Sequence, residues 1–186
     1  MILVISTSSP VTSIALIEHD AIIFADELNA PRAASGAVIQ LVQRADVDFR
    51  KLNGIAVDVG PGSFTGVRVG VTMAKIWSAQ HQLPLFGISA FDLVSTTQPV
   101  AITSKRNEVF YRDLDGLTRV LSVSEVPAGT VGSGLGGKHP CAANAISCQN
   151  RWQESDAYTL VPFYLAEPAI SQAKQQHIMG ETLRDV

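Results

Sequence analysis

The residues best suited to chemistry in this sequence lie in a glycine-rich stretch, residues 58–68, which reads Asp-Val-Gly-Pro-Gly-Ser-Phe-Thr-Gly-Val-Arg. An apolar run typical of a buried strand precedes this stretch, and a long helical pattern follows it. Backbone N–H groups are unpaired at a helix N-terminus and the helix dipole is positive there, so a glycine-rich turn in this place can hold an anion or a phosphate. The sequence therefore predicts a candidate anion-binding loop made of Gly60, Gly62, Ser63 and Thr65.

Two other interpretations of the same stretch stay open. The glycines are equally typical of a tight strand-to-helix connection that binds nothing. Asp58 ends the strand, where α/β folds commonly build their sites, but a carboxylate there can also simply stabilise the loop. The nucleotide P-loop is absent because Gly66 is followed by Val67 and Arg68 instead of Lys-Ser/Thr. A nucleophile turn, Gly-x-Ser-x-Gly, is absent because Pro61 replaces its first glycine.

Outside that stretch the sequence offers weaker candidates for chemistry. Residues 132–137 spell Gly-x-Gly-x-x-Gly, but they lie late in the chain, without a convincing helix after them or an acidic residue at the expected distance. Cys141 and Cys148 lie near His139, but their spacing is too wide for a typical zinc site. We therefore predict no catalytic residue and no metal site.

The composition is that of an ordinary globular chain of 186 residues, 46% hydrophobic and 17% charged, with a net charge of −3. Proteins that bind nucleic acid by themselves usually carry a basic stripe, so this balance predicts no direct contact with nucleic acid. The apolar run at residues 1–6 is short and has no basic segment before it, so we expect no signal peptide. No apolar window approaches the length of a membrane span, and we expect a cytoplasmic protein that binds no membrane.

The elements that must position the glycine-rich stretch follow from hydrophobic periodicity. In the first half, strands are predicted at residues 2–6, 13–18, 21–28, 54–58 and 83–87, and helices at 33–46, 64–82 and 89–95. From residue 99 the pattern starts again, with strands predicted at 100–103, 108–114, 117–123 and 130–133, a helix at 141–150, and a helix or frayed tail at 171–186. The two blocks predict two similar lobes, residues 1–98 and residues 99–186, of which the second has few helices.

The helix predicted at residues 64–82 carries a small residue at every fourth position, namely Gly66, Gly70, Ala74 and Ser78. Because glycine inside a helix costs about 1 kcal/mol relative to alanine, this row needs a packing reason. It can pack on the chain's own sheet or first helix. Alternatively it can receive a helix of a partner protein, with Met73 and Trp77 at the centre of the contact.

Residues 58–75, which continue the glycine-rich stretch into this helix, closely resemble the signature of the bacterial TsaB (YeaZ) family. The resemblance extends over nearly the whole chain. It includes the opening hairpin at 5–8 and 13–16, the lead into the first helix at 30–35, the strand at 105–111 and the Pro-x-Tyr-Leu element at 161–165. Sequences of this family often run longer in the second lobe, in agreement with the few helices predicted here.

The resemblance implies an α/β fold of two lobes, of the actin/hexokinase/Hsp70 (ASKHA, ribonuclease H-like) type, with mixed sheets and a reduced second lobe. It implies a non-catalytic scaffold subunit that dimerises with TsaD, the enzyme that transfers a threonylcarbamoyl group to tRNA, and works with the ATPase TsaE. Alone, such a chain is expected to form a homodimer. The helices at 33–46 and 64–82 would bind the partner, through Leu41, Ala45, Gly66, Val67, Gly70, Met73, Ala74 and Trp77. No cofactor is expected, apart from ATP or ADP at a partner interface.

Three features depart from the family pattern, and they argue against chemistry without weakening the helix interface. Ser6 stands where family members often carry an aspartate, which serves the metal–phosphate site in catalytic relatives. The His-x-x-x-His metal pair of TsaD is absent from the first helix, and Asn107 replaces the glycine usual before Glu108. Two alternatives remain. One is an active ASKHA-type ATPase or phosphotransferase that uses Asp58 and the loop, and the other is a free-standing homodimeric regulatory protein.

Overall fold

The computed structural model describes residues 1–165, which form nine strands and two α-helices. The strands are β1 (Ile2–Ser6), β2 (Val11–Glu18), β3 (Ala21–Asn29), β4 (Gly54–Asp58), β5 (Leu85–Ile88), β6 (Val100–Lys105), β7 (Glu108–Arg112), β8 (Thr118–Ser122) and β9 (Gln153–Ser155). The helices are α1 (Ala34–Arg44) and α2 (Phe64–His81). Both long helices predicted from periodicity are therefore present, and their ends lie within two residues of the predicted ends.

Six strands form a mixed sheet in the order β3-β2-β1-β4-β5-β9. β1, β2 and β3 make the predicted antiparallel meander, while β4 and β5 continue from β1 in parallel. β1 and β4 lie in the middle of this sheet, and every residue of β4 is buried, which explains why both strands read as continuous apolar runs. The glycine-rich stretch thus begins at the carboxyl end of a central strand.

Both helices pack on one face of the six-stranded sheet. The core between them contains apolar side chains from strands and helices alike, among them Leu3, Ile5, Ile14, Leu16, Val38, Leu41, Ile55, Val57, Val67, Val71 and Ala74. Ser63 is the N-cap of α2, and its hydroxyl accepts a hydrogen bond from the Gly66 N–H at 3.2 Å. Gln82 is the C-cap, with its backbone in the left-handed region. The start of α2 is therefore fixed by the serine of the glycine-rich stretch.

A 3-10 helix, Ala142–Arg151, covers the opposite face of the same sheet. Its buried residues Ala142, Ala145 and Cys148 pack against strand residues Val4, Ala15, Ile17 and Ala56. An α-helix was the expected form at 141–150, and the structure differs because the backbone at Cys148 leaves the helical region, with φ −130°. Small side chains let this segment lie close to the sheet.

The second sheet has three antiparallel strands in the order β6-β7-β8. β7 and β8 are each shorter than predicted, because the chain turns over Asp113–Leu117, where the Asp113 N–H donates to the Leu117 carbonyl. The strand predicted at 130–133 is wrong, since only one bridge, Val131 to Val100, forms before a 3-10 turn at Ser133–Leu135. The helix predicted at 89–95 is also wrong: this segment is a series of turns whose first N–H groups bond to Ser89.

The boundary between lobes near residue 99 stays a prediction. β9 and the 3-10 helix before it follow the second sheet in sequence, yet β9 is a strand of the six-stranded sheet and the 3-10 helix packs on that sheet. The segment predicted at 171–186 lies outside the described residues. Within residues 1–165, no helix is both long enough and apolar enough to cross a membrane.

Candidate functional site

The glycines of the loop serve close approach between two parts of the backbone. A methyl group on Gly66 would overlap the carbonyl oxygen of Thr7, and one on Gly62 would overlap that of Ser8, each well inside the 3.0 Å that real side chains essentially never cross. The Ser63 N–H donates to the Ser8 carbonyl at 2.7 Å, and the Thr7 hydroxyl donates to the Gly66 carbonyl at 2.8 Å. The loop therefore locks onto the turn that joins β1 to β2.

These contacts support the interpretation of the stretch as a tight connection. The N–H groups of Gly60, Ser63 and Gly66 already donate within the chain, to Asp58, Ser8 and Ser63 respectively. Carbonyl oxygens, which repel anions, approach the loop at its two tightest glycines. Anion binding by Gly60, Gly62, Ser63 and Thr65 stays a prediction, and these hydrogen bonds argue against it.

Asp58 is fully buried beneath the loop. One oxygen of its carboxylate accepts hydrogen bonds from the hydroxyls of Ser6, at 2.6 Å, and Ser8, and the other accepts from the Gly60 N–H at 2.8 Å. Burial raises the pKa of the Asp58 carboxyl above its ordinary value, and these hydrogen bonds oppose that rise. The carboxylate of Asp58 therefore binds the loop to the end of β1. A hydroxyl at position 6 fits this arrangement, because a second carboxylate there would repel Asp58.

The raised pKa of Asp58 predicts a pH-dependent difference between the protein and its Asp58→Asn variant. Above the unfolded-state pKa, about 4, the folded state holds the Asp58 proton more tightly than the unfolded state. The wild-type contribution of this group to stability is therefore lost as pH rises from about 4 through the folded-state pKa. Urea unfolding of both proteins between pH 4 and 8 measures their free energies of unfolding. The free energy of unfolding of the variant should increase relative to that of wild type as pH rises. A difference in the free energy of unfolding that stays constant over this pH range would show that the pKa of Asp58 is the same in the folded and unfolded chains.

The row of small residues on α2 faces the chain's own sheet. Gly66, Val67, Gly70 and Ala74 are buried, and so is Leu41 of α1. A methyl group on Gly70 would overlap the hydroxyl of Thr7. Contact of these five residues with a partner stays a prediction, and their burial inside the fold of the single chain argues against it. Its glycines are required because Thr7, in the turn after β1, lies close beneath Gly66 and Gly70. Packing within the chain itself was the first of the two reasons considered above.

The opposite side of the two helices exposes apolar side chains, of which the sequence analysis selected Ala45, Met73 and Trp77 but not Ile39 and Ile76. Ile39 is 48% exposed and Ile76 is 56% exposed, while Met73, Trp77 and Ala45 are partly exposed. Beside them lies a groove of about 390 Å³, lined by Ser35, Phe64, Thr65, Arg68, Val69, Thr72 and Met73. We call these groove residues, together with Ile39 and Ile76, the α1–α2 face. The signal for it was present in the sequence, because apolar residues ran around most of α2 and left more than one face to cover.

The segment before residue 165 holds Arg68 at the edge of this face. The Arg68 Nε donates to the Tyr164 hydroxyl at 3.1 Å, and its guanidinium carbon lies 3.9 Å from the centre of the Phe64 ring. The Phe64 and Tyr164 rings are 5.0 Å apart. The Phe163 N–H donates to the Val59 carbonyl at 2.7 Å, which fixes the segment against the loop. The Pro-x-Tyr-Leu element therefore positions a cation on α2.

A buried ion cluster joins three parts of the chain. One oxygen of Asp92, in the turn after β5, accepts from the guanidinium groups of Arg112 in β7 and of Arg151 at the end of the 3-10 helix. Arg112 also donates to the Ser95 carbonyl at 2.7 Å. The side chains of Asp92 and Arg112 are 9% and 11% exposed, so water screens this pair little.

A cleft of about 460 Å³ separates the loop from the second sheet. Its lining comes from both sides and from the last described residues, and includes Ser8, Ser9, Pro61, Gly62, Ser63, Ile102, Lys105, Glu108, Phe110, Tyr164 and Leu165. Among the described residues, no group of three or more His, Cys, Asp or Glu side chains is arranged to hold a metal ion. Binding of ATP or ADP at a partner interface stays a prediction.

The chain is similar to known proteins over the helices and the loop described above. A family model described as "TsaD: tRNA N6-adenosine threonylcarbamoyltransferase" matches residues 32–106, which include both helices and the loop. The TsaB protein of Bacillus subtilis is 34% identical over 50% of this chain and 43% of its own length, and that of Escherichia coli is 31% identical over 70% of this chain and 52% of its own length. These curated relatives and their identities support the TsaB (YeaZ) family for this chain. The chain aligns with about half the length of these two curated TsaB relatives.

Solved structures of YeaZ proteins confirm the predicted fold class. YeaZ from Pseudomonas aeruginosa superposes with a TM-score of 0.73 at 22% identity, over 88% of this chain and 99% of that one. A second Pseudomonas aeruginosa protein, described as similar to peptidase YeaZ, gives a TM-score of 0.74 at 21% identity. The chain therefore has the ASKHA-like α/β fold with a mixed sheet that its resemblance to the TsaB family implied.

Proposed function

We propose that this chain is a non-catalytic scaffold subunit in the formation of threonylcarbamoyladenosine in tRNA. In this proposal it dimerises with a TsaD homologue through the α1–α2 face and supports transfer by TsaD together with a TsaE homologue. The observation that carries the proposal is an exposed apolar face on the two helices that the family model for TsaD also matches. The similarity to TsaB proteins suggests the pathway.

The chemistry of the α1–α2 face supports a protein partner. Isolated exposed apolar residues are ordinary on protein surfaces, but here Ile39 and Ile76 flank a groove lined by the rings and aliphatic groups of Phe64, Val69 and Met73. Aromatic residues and methionine are enriched where protein interfaces are fully buried. Packing a partner helix here would remove this apolar surface from water, and the free energy gained on burial would hold the complex together.

The state of Asp58 supports a role without turnover. This carboxylate was the one candidate for catalysis in the glycine-rich stretch, and it is enclosed by Ser6, Ser8 and Gly60. A general base or metal ligand needs access to the reacting group, and Asp58 has none. The proposal also includes a cytoplasmic location, no direct contact with tRNA, and a homodimer when TsaD is absent.

Replacing Ile76 with aspartate is expected to weaken binding to TsaD at least about tenfold, because a charge would be buried within the interface. Leu117→Asp is the matched control, since Leu117 is 57% exposed, against 56% for Ile76, and lies in the loop between β7 and β8. Titration calorimetry of each variant with TsaD measures the effect. Equal affinity of both variants and wild type would refute the proposed interface.

Tight binding and turnover of Mg-ATP by the isolated chain would instead favour the ATPase alternative.

A further inference from the structure

The two helices of the α1–α2 face carry positive charge only. Neither α1 nor α2 contains an aspartate or glutamate, whereas Arg44, Arg68 and Lys75 lie on them. Arg44 pairs with Asp26 at 3.0 Å. Lys75 donates to the Leu160 carbonyl at 3.0 Å. Within the described residues, Arg68 and Lys75 form no salt bridge, and of these two Arg68 is the one that lines the groove of the α1–α2 face.

Arg68 is held in place without being neutralised. Among the described residues, no carboxylate lies within 4.0 Å of its guanidinium, which is held by the hydroxyl of Tyr164 and the ring of Phe64. The residue is exposed and its aromatic contacts limit its rotamers. An arginine with a restricted side chain loses less entropy when it pairs with an anion, which makes the pair more favourable.

The helix dipoles add positive potential at the same end of the face. Ser35 in the first turn of α1 and Thr65 in the first turn of α2 both line the groove beside Arg68. Neither helix has an acidic residue in its first turn to balance its dipole. Three sources of positive potential therefore meet at one end of an apolar groove.

We infer that Arg68 selects the partner, by requiring a carboxylate opposite the Ser35–Thr65–Arg68 end of the groove while apolar side chains fill the rest. A second copy of this chain that pairs through the same two helices does not meet that requirement, because its own α1 and α2 present the same cations and no carboxylate. The charge therefore favours a different protein with an acidic, amphipathic surface over self-association. This inference rests on the proposed function and assigns the specificity of its interface to one residue.

The test compares Arg68→Glu with Arg106→Glu, which makes the same charge change at an exposed position in the turn between β6 and β7. Binding of each variant to TsaD is measured by calorimetry at 50 and 300 mM NaCl, and self-association by sedimentation. We expect Arg68→Glu to weaken TsaD binding about 10- to 100-fold at low salt, and Arg106→Glu to change it less than about twofold. Wild-type binding should weaken with salt, and Arg68→Gln should bind with less salt dependence.

A third variant, Tyr164→Phe, separates charge from packing, since it removes the hydroxyl that holds Arg68 and leaves the charge. If the charge of Arg68 determines the affinity for TsaD, this variant should bind TsaD within about threefold of wild type. The inference is overturned if wild type binds TsaD but Arg68→Glu and Arg106→Glu bind equally well, or if the chain pairs with itself more tightly than with TsaD. Failure of the folded wild-type chain to bind TsaD at any salt concentration would remove the proposed function as well.

Discussion

Replacing Gly66 with alanine is expected to lower the free energy of unfolding by about 3 kcal/mol or more. The added methyl group would overlap the Thr7 carbonyl oxygen, a backbone atom in the buried turn after β1 that has no flexible end to move aside. Relief requires α2 to shift away from the sheet, which opens the core around Val67 and Val71. Urea unfolding followed by circular dichroism measures the loss.

Gly36→Ala is the matched control for this substitution. Gly36 is also a helical glycine, in α1, but a methyl group there would meet nothing within 4 Å. The variant should be more stable than wild type by about 0.5–1 kcal/mol, because alanine favours the helix. If both alanine variants behave alike, the close packing of α2 on the turn after β1 is not what the glycine serves.

Replacing Asp92 with alanine is expected to cost about 3–5 kcal/mol, the range observed when one partner of a buried ion pair is removed. The substitution leaves the guanidinium of Arg112 buried without its carboxylate and frees Arg151 from the turn after β5. The contact between the two sheets should loosen first, so hydrogen exchange should rise in β7 and in residues 142–151.

Asp26→Ala provides the comparison for the ion cluster. Asp26 pairs with Arg44 through side chains that are 33% and 44% exposed. Solvent screens a pair at that exposure, so its loss should cost far less stability than the loss of Asp92. Similar losses for the two variants would mean that the Asp92 cluster is solvated in solution and does not join the sheets.

Periodicity and turn chemistry predicted most of the first lobe. The apolar runs of β1 and β4, the two-residue turn at His19-Asp20 and the spacing along α1 and α2 are local signals, and each formed the expected element. The strand predicted at 130–133 failed for a non-local reason, since Val131 finds only one partner, in β6. A strand requires a neighbour, and sequence patterns do not show which neighbours are present.

The site was predicted only in part, because burial depends on which elements meet. The small residues of α2 were correctly identified as a close-packing surface, but Thr7, which they pack against, lies 59 positions before Gly66 in the chain. The pairing of Arg68 with Tyr164 spans 96 positions. A substitution at Gly70 therefore reports on folding and not on partner binding, and exposed positions such as Ile76 are the ones that test the interface.

The most direct measurement is transfer of the threonylcarbamoyl group to tRNA in a reconstituted mixture. TsaD and TsaE homologues from the same organism, with the threonylcarbamoyl donor and tRNA, are assayed without the chain, with wild type, with Ile76→Asp and with Leu117→Asp. We predict that transfer depends on the chain, that Leu117→Asp supports it as wild type does, that Ile76→Asp supports it poorly, and that the chain without TsaD transfers nothing. Transfer that proceeds equally without the chain, or equally with Ile76→Asp, would contradict a scaffold that acts through the α1–α2 face.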